Sequence, residues 1–364
     1  MGGGDVDMKK KTLSLLLALV VLCTLTACSK QETVTSSALA DEAEQNIKET
    51  EAQAGESTME PFTKNARDIP EELEVISAEY RKPAEQEGTL VKLNYETWES
   101  FSYEQHSQKL NKTAGVYLPY GYDESQAYNI FYLSHGGWSN EETVLGTDKQ
   151  PSELKHAVDH AIQDGRMKPM ILVCPTYNNT SGRDSWDYSL ALQLTDQFHN
   201  ELLNDLIPAV EGKYHTWVDY NTSPDNLKAT RDHRGFGGFS MGSVNTWHTF
   251  QYCLDYFRYY MPMSGNMGDG AWIDSVVRSA EWTDEDFFIW TATGTEDFAA
   301  SGFSYQINSM VNEYSDTFHL ANNEIEGNVS YRLYEGGTHG PEASNQYTFN
   351  ALCWFWSDSD INFE

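Results

Sequence analysis

The sequence is poor in basic residues. Lys and Arg together number 24 against 55 Asp and Glu, which gives the 364 residues a formal net charge of −31. A chain this acidic repels phosphate backbones, so we expect no nucleic-acid partner. Apolar residues make up 40% of the chain and aromatic residues 13%, which is enough for a large core and excludes a disordered or fibrous protein.

Cysteine is also scarce. Of the five cysteines, two precede residue 29, and the other three, Cys174, Cys253 and Cys353, are far apart in the chain. An odd number of distant cysteines with no C-x-x-C pair does not suit a disulfide framework or a zinc site. We therefore expect buried free thiols, with at most one disulfide bridge.

The chain has one long apolar run, and that run is too short to span a bilayer. It extends from Leu13 to Ala27, 15 residues against the roughly 20 of a membrane-spanning helix, and three lysines precede it. These features are typical of a secretory signal. Because Cys28 follows directly, the signal resembles that of bacterial lipoproteins, which implies a lipid on Cys28; a plain signal peptide is the alternative. We expect a protein anchored by lipid to the extracellular face of a bacterial membrane, or a secreted one.

The composition changes between residues 29 and 65. This segment has eight acidic residues, one Phe and no Trp or Tyr, so it cannot bury enough apolar surface to fold. We predict a signal peptide at 1–27, a disordered acidic tether at 28–65 and a single folded domain at 66–364.

Along the body, short apolar strands alternate with helical patterns. We predict strands at 89–95, 114–119, 128–133, 170–174, 234–239, 259–263, 287–293 and 329–334. We predict helices at 151–163, 190–214, 246–254, 304–314 and 346–355. This alternation indicates an α/β fold with a mainly parallel, doubly wound sheet and helices on both faces.

The segment Gly238-Phe239-Ser240-Met241-Gly242 lies between a predicted strand and a helix. A G-x-S-x-G sequence in that setting is typical of a nucleophile elbow, in which small residues allow a strained turn that exposes the serine. The sequence therefore predicts Ser240 as a nucleophile, which requires a histidine base and an orienting acid, in the chain order Ser, acid, His.

His339 is the predicted base, because it follows a strand at the carboxyl edge of the sheet, where catalytic groups collect. His156 and His160 have the spacing of a helical metal pair, but Ala157 replaces the glutamate of H-E-x-x-H, so we expect no metal site there. His233 and His248 lie near the elbow in sequence and are expected to be structural.

Asp297 is the predicted acid, because it follows the strand at 287–293 and lies between Ser240 and His339 in the chain. Glu296 is its near rival, and Asp269 and Asp274 are less usual positions for the acid.

The oxyanion hole is expected to use the backbone N–H of Met241 and one from the loop Ser134-His135-Gly136-Gly137-Trp138. We select Gly137 as that second donor, and we expect His135 to hold the loop by hydrogen bonds.

Several segments resemble carbohydrate esterase family 1 of the α/β-hydrolases, which contains feruloyl and acetylxylan esterases. They read YLSHGGWS at 132–139, LIPAVEGKY at 206–214, DHRGFGGFSMGS at 232–243, YMPMSG at 260–265, TGTED at 293–297 and GGTHG at 336–340. The resemblance implies an α/β-hydrolase fold with Ser240 as nucleophile, Asp297 as acid and His339 as base. Ser243 and Gly340 depart from the residues common in the family.

The resemblance implies a serine esterase that works through an acyl-enzyme and needs no cofactor or metal. Alternatives are an acetylxylan esterase, a siderophore esterase, an acyltransferase and a non-catalytic binding lipoprotein. Six residues are predicted to line the substrate pocket: Trp138, Tyr177, Asn178, Trp247, Asn266 and Phe298. A pocket lined by aromatic residues favours a phenolic acyl group over acetyl, so feruloylated arabinoxylan is the expected substrate and acetylated xylan a weaker one.

Overall fold

The structure is a computed structural model that describes residues 62–357. Within that range, eight strands are formed: β1 Thr89–Trp98, β2 Lys109–Leu118, β3 Asn129–Ser134, β4 Met170–Cys174, β5 Arg234–Phe239, β6 Tyr259–Met263, β7 Phe288–Gly294 and β8 Val329–Tyr334. The α-helices of the same range are α1 Glu153–Gln163, α2 Tyr188–Glu201, α3 Ile207–Glu211, α4 Pro224–Ala229, α5 Met241–Cys253, α6 Gly270–Ser279, α7 Ala300–Glu313 and α8 Pro341–Trp354.

The strands form one sheet in the order β1-β2-β4-β3-β5-β6-β7-β8. The pairs β1/β2 and β2/β4 are antiparallel, and all pairs from β4/β3 to β7/β8 are parallel. The parallel strands therefore all end at one edge, and this edge carries the loops after β3, β5, β7 and β8. The predicted mainly parallel sheet is confirmed.

Alternate side chains of the central strands enter two separate cores, one on each face of the sheet. In β3, Ile130 and Tyr132 belong to the core under α2, α5, α6 and α7, whereas Phe131 and Leu133 belong to the core under α1 and α8. Strands covered on both faces read as continuous apolar runs, which is why β3 and β4 are so apolar. Each large side chain fully buried in this way contributes about 1.5–3 kcal/mol.

The helices differ from prediction at several places. The long helix predicted at 190–214 is instead α2, a π-helical turn at Leu202–Leu206 and the short α3. The three segments follow one another directly from Tyr188 to Glu211, and Pro208, which has no N–H to donate, lies just after the π-helical turn. Helices α4 and α6 were not predicted, because their short sequences do not stand out by periodicity.

The folded body includes Asn65, which the sequence analysis placed in the tether. The Asn65 backbone N–H donates to Glu324 Oε2 at 2.7 Å, and its amide Nδ2 donates to the Trp354 carbonyl at 2.7 Å. Asn65 is buried, so the predicted boundary at 65/66 lies too late in the chain. The predicted signal at 1–27, Cys28 and the tether as far as residue 61 lie outside the described residues.

The three cysteines of the body are buried and unpaired, as predicted. Burial raises the pKa of the Cys174 and Cys353 thiols to about 12, so they remain protonated and unreactive. Among the helices between residues 62 and 357, none has the combined length and apolar character that crossing a bilayer requires.

Candidate active site

Ser240 occupies a sharp turn between β5 and α5. Its backbone has φ 61° and ψ −118°, a strained conformation that non-glycine residues rarely adopt. A Cβ on Gly238 or on Gly242 would lie 2.5 Å from the Ser134 carbonyl oxygen of β3, so only glycine allows this close approach. The turn raises the Ser240 side chain above the carboxyl edge of the sheet, where it lines a cavity.

His339 connects Ser240 to Asp297. Its Nε2 lies 2.8 Å from Ser240 Oγ, and its Nδ1 lies 2.7 Å from Asp297 Oδ1. Because a carboxylate only accepts hydrogen bonds, Nδ1 carries the ring proton and Nε2 accepts the Ser240 hydroxyl proton. This arrangement is that of an activated serine nucleophile. The structure thus brings together the three residues selected from the sequence.

The environment of His339 and Asp297 restricts both side chains. The Asp297 side chain is completely buried, and its Oδ1 also accepts the Ala299 backbone N–H at 2.7 Å. The imidazole of His339 packs against Phe239 and Phe298, with ring centroids 4.5 and 4.1 Å away. A buried carboxylate in contact with the ring favours the positive charge that the imidazole gains when it accepts a proton.

Within residues 62–357, none of the rival acids forms a hydrogen bond or ion pair with His339. Glu296 is exposed, and its carboxylate makes no hydrogen bond or ion pair within residues 62–357. Asp269 caps α6 by accepting the Trp272 N–H, and Asp274 pairs with Arg278 at 2.7 Å. These contacts are the helix-capping and surface-pairing roles common for aspartate.

The rival histidines also lie outside the site. His233 stacks on Trp217 and hydrogen-bonds Asn129, while His248 lies beside Asp196. His160 stacks on Tyr80.

His156 lies with Glu87 and Asp159 in a cluster of metal-ligand type. The ammonium of Lys155 lies 2.9 Å from Glu87 and 2.6 Å from Asp159. A lysine therefore already supplies the positive charge that these carboxylates need, and the cluster is an ion-pair network.

The loop after β3 is held through one carbonyl oxygen. His135 Nδ1 donates to the Gly136 carbonyl at 2.7 Å, and the Tyr177 hydroxyl donates to the same oxygen at 2.7 Å. His135 Nε2 accepts from Thr176 Oγ1 at 2.8 Å. Burial lowers the pKa of His135 to about 4, so the ring stays neutral and can accept that bond. The predicted holding role of His135 is seen in these contacts.

These bonds also orient the next amide. In a trans peptide the C=O and N–H point in opposite directions, so fixing the Gly136 carbonyl fixes the direction of the Gly137 N–H. Gly137 and Met241 both line the cavity beside Ser240. Within residues 62–357, neither backbone N–H donates a hydrogen bond to the protein. Two free N–H groups beside a serine hydroxyl are the donors that an oxyanion hole requires.

The cavity has a volume of about 780 Å³ and is open at the carboxyl edge of the sheet. Trp138, Asn266 and Phe298 line it, as predicted. Its wall includes residues that sequence reasoning missed: Thr143, Val144, Leu154, Tyr188, Ser344, Asn345 and Thr348. Most of these belong to the segment between β3 and α1 or to α8, and no local motif marks them. Tyr188 could have been noticed as a tyrosine in the turn that begins α2.

Tyr177, Asn178 and Trp247 do not line the cavity, so their predicted place in its wall differs from the structure. The hydroxyl of Tyr177 binds Gly136, as described above. The amide of Asn178 is buried and donates to the Ser139 and Gly182 carbonyls. Trp247 is fully buried in the core under α5, and its indole N–H donates to the Gly265 carbonyl at 3.0 Å.

Part of the chain matches a known family and two known proteins. Residues 106–311, more than half of the chain, match the family described as "Putative esterase". The chain is 34% identical over 286 residues to endo-1,4-beta-xylanase Y of Acetivibrio thermocellus, which covers 77% of this chain and 24% of the relative. It is 31% identical over 140 residues to an endo-1,4-beta-xylanase/feruloyl esterase of Xylanibacter ruminicola, covering 37% of this chain and 17% of the relative. The chain therefore spans about a quarter or less of either relative.

Solved structures support the same assignment. The feruloyl esterase module from Clostridium thermocellum, as a serine-to-alanine mutant complexed with sinapinate, has 32% identity and a TM-score of 0.68, with 83% of this chain and 99% of that chain covered. A CE1 ferulic acid esterase from Anaeromyces mucronatus shares the fold, with a TM-score of 0.57 at 19% identity over 79% of this chain and 99% of that one. The expected α/β-hydrolase-like fold is thereby confirmed.

Proposed function

The chain belongs to this esterase family, and we propose that it is a serine esterase that releases ferulate and related hydroxycinnamates from arabinoxylan. The observation that carries the proposal is the hydrogen-bonded chain Ser240–His339–Asp297, set at one side of a largely apolar cavity of about 780 Å³. The chain supplies an activated nucleophile, and the cavity supplies room for a bulky acyl group.

We assign two acyl-transfer steps to these residues. In the first, His339 Nε2 takes the Ser240 hydroxyl proton while Oγ attacks the ester carbonyl, and the N–H groups of Gly137 and Met241 stabilise the oxyanion. The alcohol leaves with the proton from His339, and an acyl-enzyme remains. In the second step, water gives a proton to His339 and attacks the acyl-enzyme, which releases the acid and restores the Ser240 hydroxyl. Asp297 holds Nδ1 and stabilises the imidazolium in both steps.

The shape and lining of the cavity favour an aromatic acyl group. An acetyl group would leave most of the volume filled with water, whereas a phenylpropenoyl group can replace water along apolar walls such as Val144 and Leu154. The relative complexed with sinapinate, a hydroxycinnamate, supports this choice. Because that relative is a module of 32% identity, its ligand is evidence for the class of acyl group and not for the exact substrate.

A comparison of two esters tests the proposal. One purified sample is assayed for kcat/KM with methyl ferulate and with acetylated xylo-oligosaccharide, and Ser240→Ala serves as the inactive control. We expect methyl ferulate to be preferred and the variant to hydrolyse neither ester. A preference for the acetyl ester of tenfold or more, about 1.4 kcal/mol in transition-state binding, would make the protein an acetylxylan esterase.

We propose in addition that the protein is lipid-anchored through Cys28 to the outer face of a bacterial membrane. The support is the run of small and apolar residues that ends at Ala27, directly before the cysteine. Two acyl chains on one residue are enough for stable anchoring. Replacing Cys28 with Ser should move the protein from the membrane fraction to the soluble fraction; retention in the membrane fraction would contradict the anchor.

A further inference from the structure

Three exposed aromatic residues belong to two hydrogen-bonded loops beside the cavity. Trp138, Trp186 and Tyr188 are 65%, 53% and 60% exposed. Trp138 and Tyr188 also line the cavity, and Trp186 lies two residues before Tyr188. Large aromatic side chains in water beside an active site mark a surface that a ligand covers. We call these three residues the aromatic shelf.

The backbone beneath the aromatic shelf is cross-linked by hydrogen bonds. The Trp138 N–H donates to the Ser185 carbonyl at 2.9 Å, and Ser185 Oγ donates to the Ser139 carbonyl at 2.7 Å. Asn178 joins both loops, because its Oδ1 accepts the Ser185 N–H and its Nδ2 donates to the Ser139 carbonyl. These bonds attach the residue before Trp186 directly to the backbone of Trp138.

The rest of the loop that carries Ser185 and Trp186 is also held by hydrogen bonds. Asp184 Oδ2 accepts the N–H groups of Asn179 and Ser181, at 2.9 and 3.0 Å. The Arg183 guanidinium lies 5.0 Å from the centroid of the Trp186 ring, a cation–π contact that restrains the indole. A binding surface whose backbone is fixed before the ligand arrives loses less conformational entropy on binding. Exposed aromatic residues on so rigid a loop are therefore arranged for recognition.

From this arrangement we infer that the aromatic shelf binds the sugar rings of the ester's alcohol portion, in particular a neutral pentose oligosaccharide. The inference rests on the proposed function, because it assigns the acyl group to the cavity and the glycan to the surface outside it. Sugar rings present flat C–H faces that pack on aromatic rings, while the indole N–H and the tyrosine hydroxyl remain available to sugar hydroxyls.

The net negative charge of the protein favours neutral glycans over acidic ones. With 55 acidic residues against 24 basic ones, the protein repels polysaccharides rich in uronic acids. A neutral glycan avoids this repulsion. The occupant is therefore an arabinoxylan-type chain and not an acidic pectic one.

The first test measures how the Trp186→Ala variant hydrolyses one large ester and one small ester. The ratio of kcat/KM for a feruloylated arabinoxylo-oligosaccharide to kcat/KM for methyl ferulate should fall about tenfold, mainly through KM. The matched control is Tyr120→Ala, because Tyr120 is 55% exposed but follows β2 at the opposite edge of the sheet. That control should leave the ratio unchanged. An unchanged ratio in Trp186→Ala, with both esters still hydrolysed, would refute the shelf and leave the proposed function intact.

A second measurement does not depend on ester hydrolysis. Unesterified arabinoxylo-oligosaccharide is titrated into Ser240→Ala and into Ser240→Ala/Trp186→Ala, and binding is followed by calorimetry. We expect binding to the first protein and at least fivefold weaker binding to the second. Equal affinity for the two proteins, or tighter binding of an oligogalacturonide than of the neutral oligosaccharide, would overturn the inference. Failure of the wild type to hydrolyse either ester would instead overturn the proposed function, and the shelf assignment with it.

Discussion

The hydroxyl of Tyr177 donates a 2.7 Å hydrogen bond to the carbonyl oxygen of Gly136. The peptide that carries this oxygen also carries the Gly137 N–H, which is one of the two proposed oxyanion donors. Tyr177 is buried and stacks on His135, so it acts on the reaction only through the direction of that peptide. We therefore describe Tyr177 as a positioning residue.

Tyr177→Phe should lower kcat with little change in KM. Removing an oxyanion donor outright costs roughly 10²–10³ in kcat, and here the donor remains but loses one of its two restraints. We expect a decrease of about tenfold in kcat and a parallel loss of affinity for a boronic acid that mimics the tetrahedral intermediate. Steady-state kinetics and inhibitor titration measure both.

Tyr260→Phe is the control for that change. Its hydroxyl is also buried and also lies near backbone carbonyls, those of Cys253 and Phe257 at 3.4 and 3.3 Å. The substitution removes the same atom from the core without touching the loop. If both variants lose kcat to the same degree, the effect comes from general loosening of the core and not from the oxyanion loop.

Asp297 and Glu296 offer a direct test of which carboxylate orients His339. Asp297→Asn places an amide N–H against Nδ1, which drives the ring proton to Nε2 and prevents that nitrogen from accepting the Ser240 proton. A decrease in kcat of roughly 10³–10⁴ is expected, without loss of the fold. Glu296→Gln also replaces a carboxylate with an amide, but at an exposed neighbouring residue, and this variant should retain full activity. Comparable activity of the two variants would contradict the assignment.

The three residues of the candidate active site could be brought together from sequence because each follows a strand in a parallel sheet. Ser240, Asp297 and His339 come after β5, β7 and β8, and parallel strands end at one edge. The three residues therefore meet because of the sheet topology, and the order of the short apolar segments in the sequence already indicates that topology.

The lining of the pocket was harder to predict, for an identifiable reason in each case. Trp247 lies seven residues after Ser240, a spacing that in a helix places two side chains on the same face. Ser240 has φ 61° and precedes α5, so that relation does not hold for it. Asn178 follows a strand at the correct edge, yet its amide joins two loops. Such uses of a polar group depend on contacts that are distant in sequence.

Truncating Trp247 should therefore lower the stability of the protein, whereas truncating Phe298 should lower its activity. Trp247→Ala empties a fully buried site and removes the indole bond to Gly265, which should lower the free energy of unfolding by about 3–5 kcal/mol. Phe298 is 83% exposed, so Phe298→Ala should change that free energy by no more than about 0.5 kcal/mol. Because Phe298 packs on the His339 ring, its loss should instead lower kcat/KM several-fold. Urea unfolding and methyl ferulate kinetics of both variants test this contrast; a stable Trp247→Ala protein would contradict it.

The stability of the protein should depend on pH through His135. Burial lowers its pKa to about 4 in the folded state, against about 6.5 in the unfolded chain. Between these values the unfolded state binds more protons, so the free energy of unfolding rises with pH across the window and falls on acidification. This histidine alone accounts for a slope of up to about 1.4 kcal/mol per pH unit, and on the order of 3 kcal/mol over the whole range.

The variant His135→Gln tests this dependence, because it keeps a side-chain N–H for the Gly136 carbonyl but cannot titrate. Urea unfolding of both proteins at several values between pH 7 and pH 4.5 should show a shallower pH slope in the variant. An identical slope in the two proteins would contradict the prediction, because it would mean that His135 does not stay neutral and buried in the folded state across this pH range.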